Sequence, residues 1–231
     1  MLKIFSEYKN KLILLPIIFI LITPILTVFS YLLHPSTELW DHLANNLLIN
    51  YLSNTLIIVS SVAFITLLIG VSSAWLVAMY KFPGKDIFKW LLVMPIAIPT
   101  YVSAYIYAGL VEPSGLLFNF ADNYLGLGEE LYRFADLRNI YGVIFILSIC
   151  LYPYVYLLCY SSFKEQSYCV LEVGRSMGLD KITCFRRISL PLARPGIVAG
   201  LSFVIMETLA EFGTVDYYGV STFTTGIFRT W

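Results

Sequence analysis

The 231-residue sequence predicts an all-α fold, a polytopic bundle of about five membrane-spanning helices with its N-terminus in the cytoplasm. Three observations carry this expectation. Hydrophobic residues make up 58% of the chain and charged residues only 13%, about half the charged share of a soluble domain. The charges are clustered, so residues 12–33, 44–80, 90–111 and 139–163 contain no Asp, Glu, Lys or Arg. Each of these runs exceeds the roughly 20 residues a helix needs to cross a hydrocarbon core. Finally, the segments between the runs alternate in the sign of their charge.

Spans are placed at 12–33, 54–80, 88–110, 141–163 and 196–215. The N-terminal segment carries Lys3, Lys9 and Lys11, residues 81–89 carry Lys81, Lys85 and Lys89, and residues 164–194 carry Lys164, Arg175, Lys181, Arg186, Arg187 and Arg194. Of the 15 basic residues, only Arg133, Arg138 and Arg229 fall elsewhere. The positive-inside rule therefore puts these three segments in the cytoplasm. The 34–53 segment, with Glu38 and Asp41, then lies outside, as does the acidic 111–140 loop with Glu112, Asp122, Glu129, Glu130 and Asp136. The first run is too long for the apolar core of a signal peptide and no small-x-small cleavage site follows it, so 12–33 is expected to be an uncleaved anchor.

Within the spans, Pro16, Pro24, Pro95, Pro99 and Pro153 predict kinks. Tyr152, Tyr156 and Tyr160 share one helical face, for which packing or an interfacial belt is favoured over lining a pathway. Gly70, Ser73 and Ala74 form a small-residue face suited to close helix contact. Cys150, Cys159, Cys169 and Cys184 make no C-x-x-C pair and are expected as free thiols or small apolar fillers.

Several functions are disfavoured. Net charge is zero, so nothing draws the chain to nucleic acid. The two histidines, His34 and His42, lie outside the spans, and no nucleophile–base pair stands out, so the chain is not expected to be an enzyme. No Walker motif is present. Glu207 and Glu211 are spaced i, i+4 on one face of the last span. A carboxylate at the bilayer centre costs roughly 2.5–3.5 kcal/mol, so both should face protein or water. They either line the outer part of a pathway or form a hydrogen-bonded pair near the interface, the second being favoured. Two carboxylates without a third ligand make no metal site, and no cofactor is implied.

The most informative segment is "LEVGRSMGLDKITCFRRISLPLARPG", residues 171–196. Residues 165–178 place Val170, Val173 and Met177 on one helical face, with Gly174 and Gly178 nearby. Gly178 suits a helix terminator and Asp180 an N-cap. A second helix, 181–189, would put Ile182, Phe185 and Ile188 on an exposed apolar face and turn Arg186 and Arg187 elsewhere. Leu190-Pro191 would end it, and Pro195 suits the first turn of the next span. Taken physically, this is either an amphipathic loop on lipid headgroups or a helix that docks in a partner's cleft.

The spacing of these residues resembles the cytoplasmic motif E-A-A-x-x-x-G-x(9)-I-x-L-P of permease subunits in binding-protein-dependent ABC importers. Glu172, Gly178, Ile188, Leu190 and Pro191 match it, while Val173 and Gly174 replace its two alanines. "MPIAIPTYVSAY" (94–105), "LARPGIVAGLSFVIMETLAEFGTV" (192–215) and "FTTGIFRTW" (223–231) are similar to the ferric-iron type of that family, in which two modules are commonly fused in one chain. The resemblance covers roughly residues 50–231, so 1–49 would be an added anchor helix and outer loop, and 164–194 the cytoplasmic coupling segment.

The resemblance implies the helix bundle of type I ABC importer permeases, in the bacterial inner membrane. It implies as partners a cytoplasmic ATPase dimer of ATP-binding cassette subunits, a second permease half or subunit, and a periplasmic substrate-binding protein. Glu172, Gly174, Gly178, Ile188, Leu190 and Pro191 would couple to the ATPase, and ferric iron would be the substrate, with thiamine or phosphonate relatives similar. The family core has five helices with the loop between the third and fourth. A fifth would therefore follow residue 231, and the sequence is expected to be an N-terminal half or fragment. A secondary transporter with proline-broken helices and a structural membrane protein are the competing readings.

Overall fold

In the computed structural model, residues 16, 18–30, 47–113, 115–134, 136–166, 176 and 178–230 are described. The chain divides into two units, Met1–Ile49 and Asn50–Trp231. The first contains the apolar helix α1, Ile18–Ser30, inside the predicted anchor at 12–33.

Two predicted spans become long single helices, α2 (Leu48–Met79) and α7 (Ile140–Glu165). At 32 and 26 residues they rise about 48 and 39 Å. Asn139 starts α7: its extended backbone turns the side chain to accept from the Tyr141 and Gly142 amides at 2.9 and 3.0 Å. This satisfies donors that have no partner inside the helix. Pro153 is absorbed within α7.

The other two predicted spans are broken, the first more sharply than the kinks expected at Pro95 and Pro99. Instead of one helix over 88–110 there is α3 (Lys85–Leu91), a 3₁₀ turn (Met94–Ala97) and α4 (Thr100–Val111). The piece before the break and the piece after it are bent by 95°. Pro99 is the cause. It forces Ile98 into an extended conformation (φ −106°, ψ 124°), because the proline ring excludes helical geometry from the preceding residue. Similarly, α8 (Ile182–Leu192) meets α9 (Arg194–Ala210) at 69°. The expected span 196–215 ends early, at Glu211, and α10 (Gly213–Tyr217) follows. Among the described residues, two helices are long and apolar enough to cross a membrane, or up to four if each bent pair counts as one span.

The expected outer loop is partly helical, with α5 (Leu116–Leu125) and α6 (Gly128–Phe134). Gly126, at φ 65°, makes the turn between them, a left-handed conformation that glycine adopts without strain. Arg138 pairs with Glu112 across the loop, and that carboxylate raises the guanidinium pKa. The last described helix is α11 (Phe223–Thr230). It is tied to α2 by Asn54 Nδ2 donating to the Ser221 carbonyl (2.9 Å) and the Phe223 amide donating to Thr55 Oγ1 (3.0 Å).

Helix α7 is the core of the second unit. Val143, Ile146, Leu147, Val155, Tyr156, Cys159 and Phe163 are fully enclosed. Its neighbours approach through glycines. A Cβ on Gly70 of α2 would lie 2.7 Å from the Val155 Cβ, and one on Gly200 of α9 would lie 2.8 Å from the Val155 Cα. Gly196, one turn earlier in α9, backs onto Leu158 and Ser162. Such small-xxx-small spacing lets backbones approach closely where lipid gives helices no hydrophobic reason to associate. The Gly70–Ala74 face therefore packs inward, as does the tyrosine stripe: Tyr152 and Tyr156 are buried, and Tyr156 stacks on Tyr160 at 5.9 Å. Cys150, Cys159 and Cys184 are buried free thiols, and Cys169 lies outside the described residues.

Replacing Gly200 by leucine would force side-chain atoms into the α7 backbone. Overpacking of this kind costs about 1–3 kcal/mol. The expected outcome is a lower thermal midpoint in detergent for Gly200→Leu, with Gly109→Leu, which meets nothing within 4 Å, close to wild type.

Candidate functional site

The basic segment between α7 and α9 is fixed to the bundle at several points. Gly178 has φ 82°, so the chain turns there in a conformation that penalises side chains. Asp180 then caps α8, its Oδ2 accepting from the Ile182 and Thr183 amides at 3.2 and 3.4 Å. The Thr183 side chain, together with these amides, holds the Asp180 carboxyl below the usual carboxylate range.

Phe185 is not the exposed residue the pattern suggested. Its ring lies 4.6 Å from Trp75 of α2 and 6.3 Å from Phe163 of α7, centroid to centroid. Leu190 packs against the same core, and Cys184 and Ser189 are buried. Gln166, just past α7, donates to the Ser189 carbonyl at 2.9 Å. The outward side of α8 presents Ile182, 62% exposed, with Arg186 and Arg187.

Leu190-Pro191 does not end the helix. Phe185–Ser189 forms a π-helical turn and the Leu190 amide reaches back to the Phe185 carbonyl, after which helix continues to Leu192. A wider turn accommodates Pro191, which has no amide proton to donate. Pro195 occupies the first turn of α9 as expected. Of the motif residues, Gly178, Ile188, Leu190 and Pro191 belong to this elbow, whereas Glu172 and Gly174 lie outside the described residues. So do Val170, Val173 and Met177.

The two carboxylates of the last span part company. Glu207 is exposed on α9. Glu211 follows the helix end, with φ −65° and ψ 123°. Its Oε2 accepts from Thr100 Oγ1 (2.7 Å) and its Oε1 from the Thr214 amide (2.8 Å). One carboxylate thus joins the first residue of α4 to the start of α10. The contact is tight, since a Cβ on Gly213 would lie 2.7 Å from the Tyr101 Cβ. Tyr218 Oη also donates to the Ala104 carbonyl at 3.0 Å, so α4 and α10 are held as one piece. Sequence spacing alone gave no sign of this bridge. It exists because Pro99 and Glu211 each break a helix, and the two breaks meet. Among the described residues no group of three or more His, Cys, Asp or Glu could hold a metal ion.

The described residues thus form a helical bundle with two broken apolar segments and a basic elbow packed onto its core. The chain belongs to the family of binding-protein-dependent transport system inner membrane components, whose family model matches residues 66–229. The fold is accordingly the type I ABC permease helix bundle, a multi-pass membrane architecture. A probable molybdenum ABC transporter permease of Haloferax volcanii is 24% identical over 73% of this chain and 58% of its own length. The sulfate transport system permease CysT of Salmonella typhimurium is 25% identical over 88% and 71%, respectively. An Fe(3+)-transport system permease, FbpB 2 of Haemophilus influenzae, is 26% identical over 77% of this chain but 31% of its own.

The Asp180 cap makes a pH-dependent prediction. A depressed carboxyl pKa contributes stability above the ordinary value of 3.8, and this is lost as pH falls through the lower folded value. The protection factors at Ile182 and Thr183, the intrinsic rate at each pH divided by the observed rate, should fall on acidification in wild type. Asp180→Asn, which keeps a capping oxygen, should show no such pH step, and Asp180→Ala should be weakly protected throughout.

Proposed function

We propose that this chain is a permease component of an ATP-driven importer in the bacterial inner membrane, and that its 171–191 segment couples it to a cytoplasmic ATP-binding cassette dimer. The single observation behind this reading is the elbow. Motif residues Gly178, Ile188, Leu190 and Pro191 sit on a segment anchored to α2 and α7 through Phe185. Force applied to its outward side would then reach two long helices and not dissipate in a loop. In this reading Glu172 contacts a polar or basic group on the ATPase, Gly174 and Gly178 permit close approach and the turn, and Ile188, Leu190 and Pro191 set the exit into α9. ATP hydrolysis belongs to the other subunit. A second permease half or subunit completes the pathway, and a periplasmic binding protein delivers substrate.

Ferric iron is the substrate reading, supported by the segments 94–105, 192–215 and 223–231 and by the Fe(3+)-type relative. Relatives named for sulfate and molybdenum align over much of the same chain, so selection is assigned to the binding protein. Glu207 and Glu211 are the pathway candidates. With Glu211 engaged by Thr100 and Thr214, Glu207 is the carboxylate open to a cation.

Co-purification of the tagged chain with candidate ATP-binding cassette ATPase subunits tests the coupling. Wild type should retain one; Glu172→Lys and Gly178→Arg should reduce recovery at least tenfold. Equal recovery in both variants would refute the coupling role of this segment, and no recovery even by wild type would favour a secondary transporter. Orientation is tested separately: a cysteine introduced at Asn123 should react with an impermeant maleimide in intact cells. Radio-iron, sulfate and molybdate uptake by the reconstituted system then tests the substrate, iron alone being taken up.

A further inference from the structure

Helix α3 turns an apolar face away from the rest of the second unit. None of its residues is buried. Ile87, Trp90 and Leu91 are exposed at 70%, 69% and 51%, and their 100° spacing puts them on one side. Lys85 and Lys89 fall on the opposite side. Lysines on one face with Trp and Leu on the other mark a helix that lies in a membrane interface and does not cross it. The pieces Lys85–Ala97 and Thr100–Leu125 meet at 95°, so α3 does not continue in line with the helix after Pro99.

The depth of α3 is set by its contacts. Lys85 Nζ donates to the Ala78 carbonyl (3.4 Å), one residue from the end of α2. Lys89 Nζ lies 5.6 Å from the Tyr160 ring near the end of α7, and 5.3 Å from the Trp90 ring. Tyr156 Oη donates to the Lys89 carbonyl at 3.3 Å. Helix α3 is thus level with the C-terminal ends of both long helices, where the basic residues gather. Gly84, at φ 81°, makes the turn that lets the chain leave α2 and run sideways.

We propose that α3 is an in-plane anchor on the inner leaflet, its Ile87–Trp90–Leu91 face set into the acyl boundary and Lys81, Lys85 and Lys89 binding anionic phospholipid headgroups. Charge complementarity selects this occupant. The only opposing charge on the helix is Asp86, and the inner leaflet supplies an anionic surface that attracts such clusters. Tryptophan and lysine side by side at this level match the belt found at membrane interfaces.

The test uses the full chain with Cys169→Ser, carrying a nitroxide at Ile87→Cys or Leu91→Cys. It is reconstituted in vesicles of phosphatidylcholine alone or mixed with phosphatidylglycerol. Depth is read from the ratio of collisions with oxygen and with a water-soluble nickel chelate. An in-plane helix gives both labels one interfacial depth, whereas an upright helix separates them by about 6 Å. Adding phosphatidylglycerol should move both labels toward the acyl region, and Lys81→Gln with Lys85→Gln and Lys89→Gln should abolish that shift. A deeper label at 91 than at 87 would overturn the in-plane placement. Labels screened from both probes would mean a protein cover, such as a second copy, and would overturn it too. Indifference of the wild-type chain to phosphatidylglycerol would overturn the role of the lysines. None of these outcomes depends on an ATPase.

Discussion

The contact of Val155 with two glycines is the constraint on which the rest of the bundle depends. A membrane helix cannot be held by the expulsion of apolar surface from water, because lipid tails are as apolar as its side chains. Dispersion between closely fitted surfaces must do it instead, and dispersion falls away over a fraction of an ångström. With Gly70 on one side and Gly200 on the other, α2 and α9 approach α7 to backbone distance. Everything on the α7 ends, the Phe185 elbow among them, inherits its position from that clamp.

The two helix breaks have a shared consequence. Each break opens a new helix start, and the Glu211 carboxylate joins the two, accepting from the Thr100 hydroxyl at one and the Thr214 amide at the other. Charge near helix N-termini is favoured by the exposed N–H groups and their dipoles. A carboxylate that would be unfavourable in a continuous span is thereby accommodated where helices stop, which is the usual condition for ionisable groups at membrane depth.

The sequence carried the architecture further than it carried the local geometry. Charge-free runs located α2 and α7 because each is apolar for longer than the roughly 20 residues a crossing helix needs. Pro99 was visible as a kink, yet its size was not. A proline dictates that the preceding residue be extended, but the angle depends on the surface that receives the turned segment, here Tyr156 and Tyr160. The elbow failed differently. Ile182, Phe185 and Ile188 share a face by spacing, so all three looked equivalent. The π-helical turn at Phe185–Ser189 shifts the helical phase of the residues after it, and Trp75, over a hundred residues away, claims Phe185 alone. Gly178, Asp180 and Pro195 were legible because turn, cap and first-turn rules are local. Glu211 was not, since its partner on α4 is distant in sequence.

Because Phe185 meets both Trp75 and Phe163, the elbow cannot shift without displacing the C-terminal ends of α2 and α7 together. Those same ends carry α3 through Ala78, Tyr156 and Tyr160. Elbow and α3 are therefore attached to the same pair of helix ends.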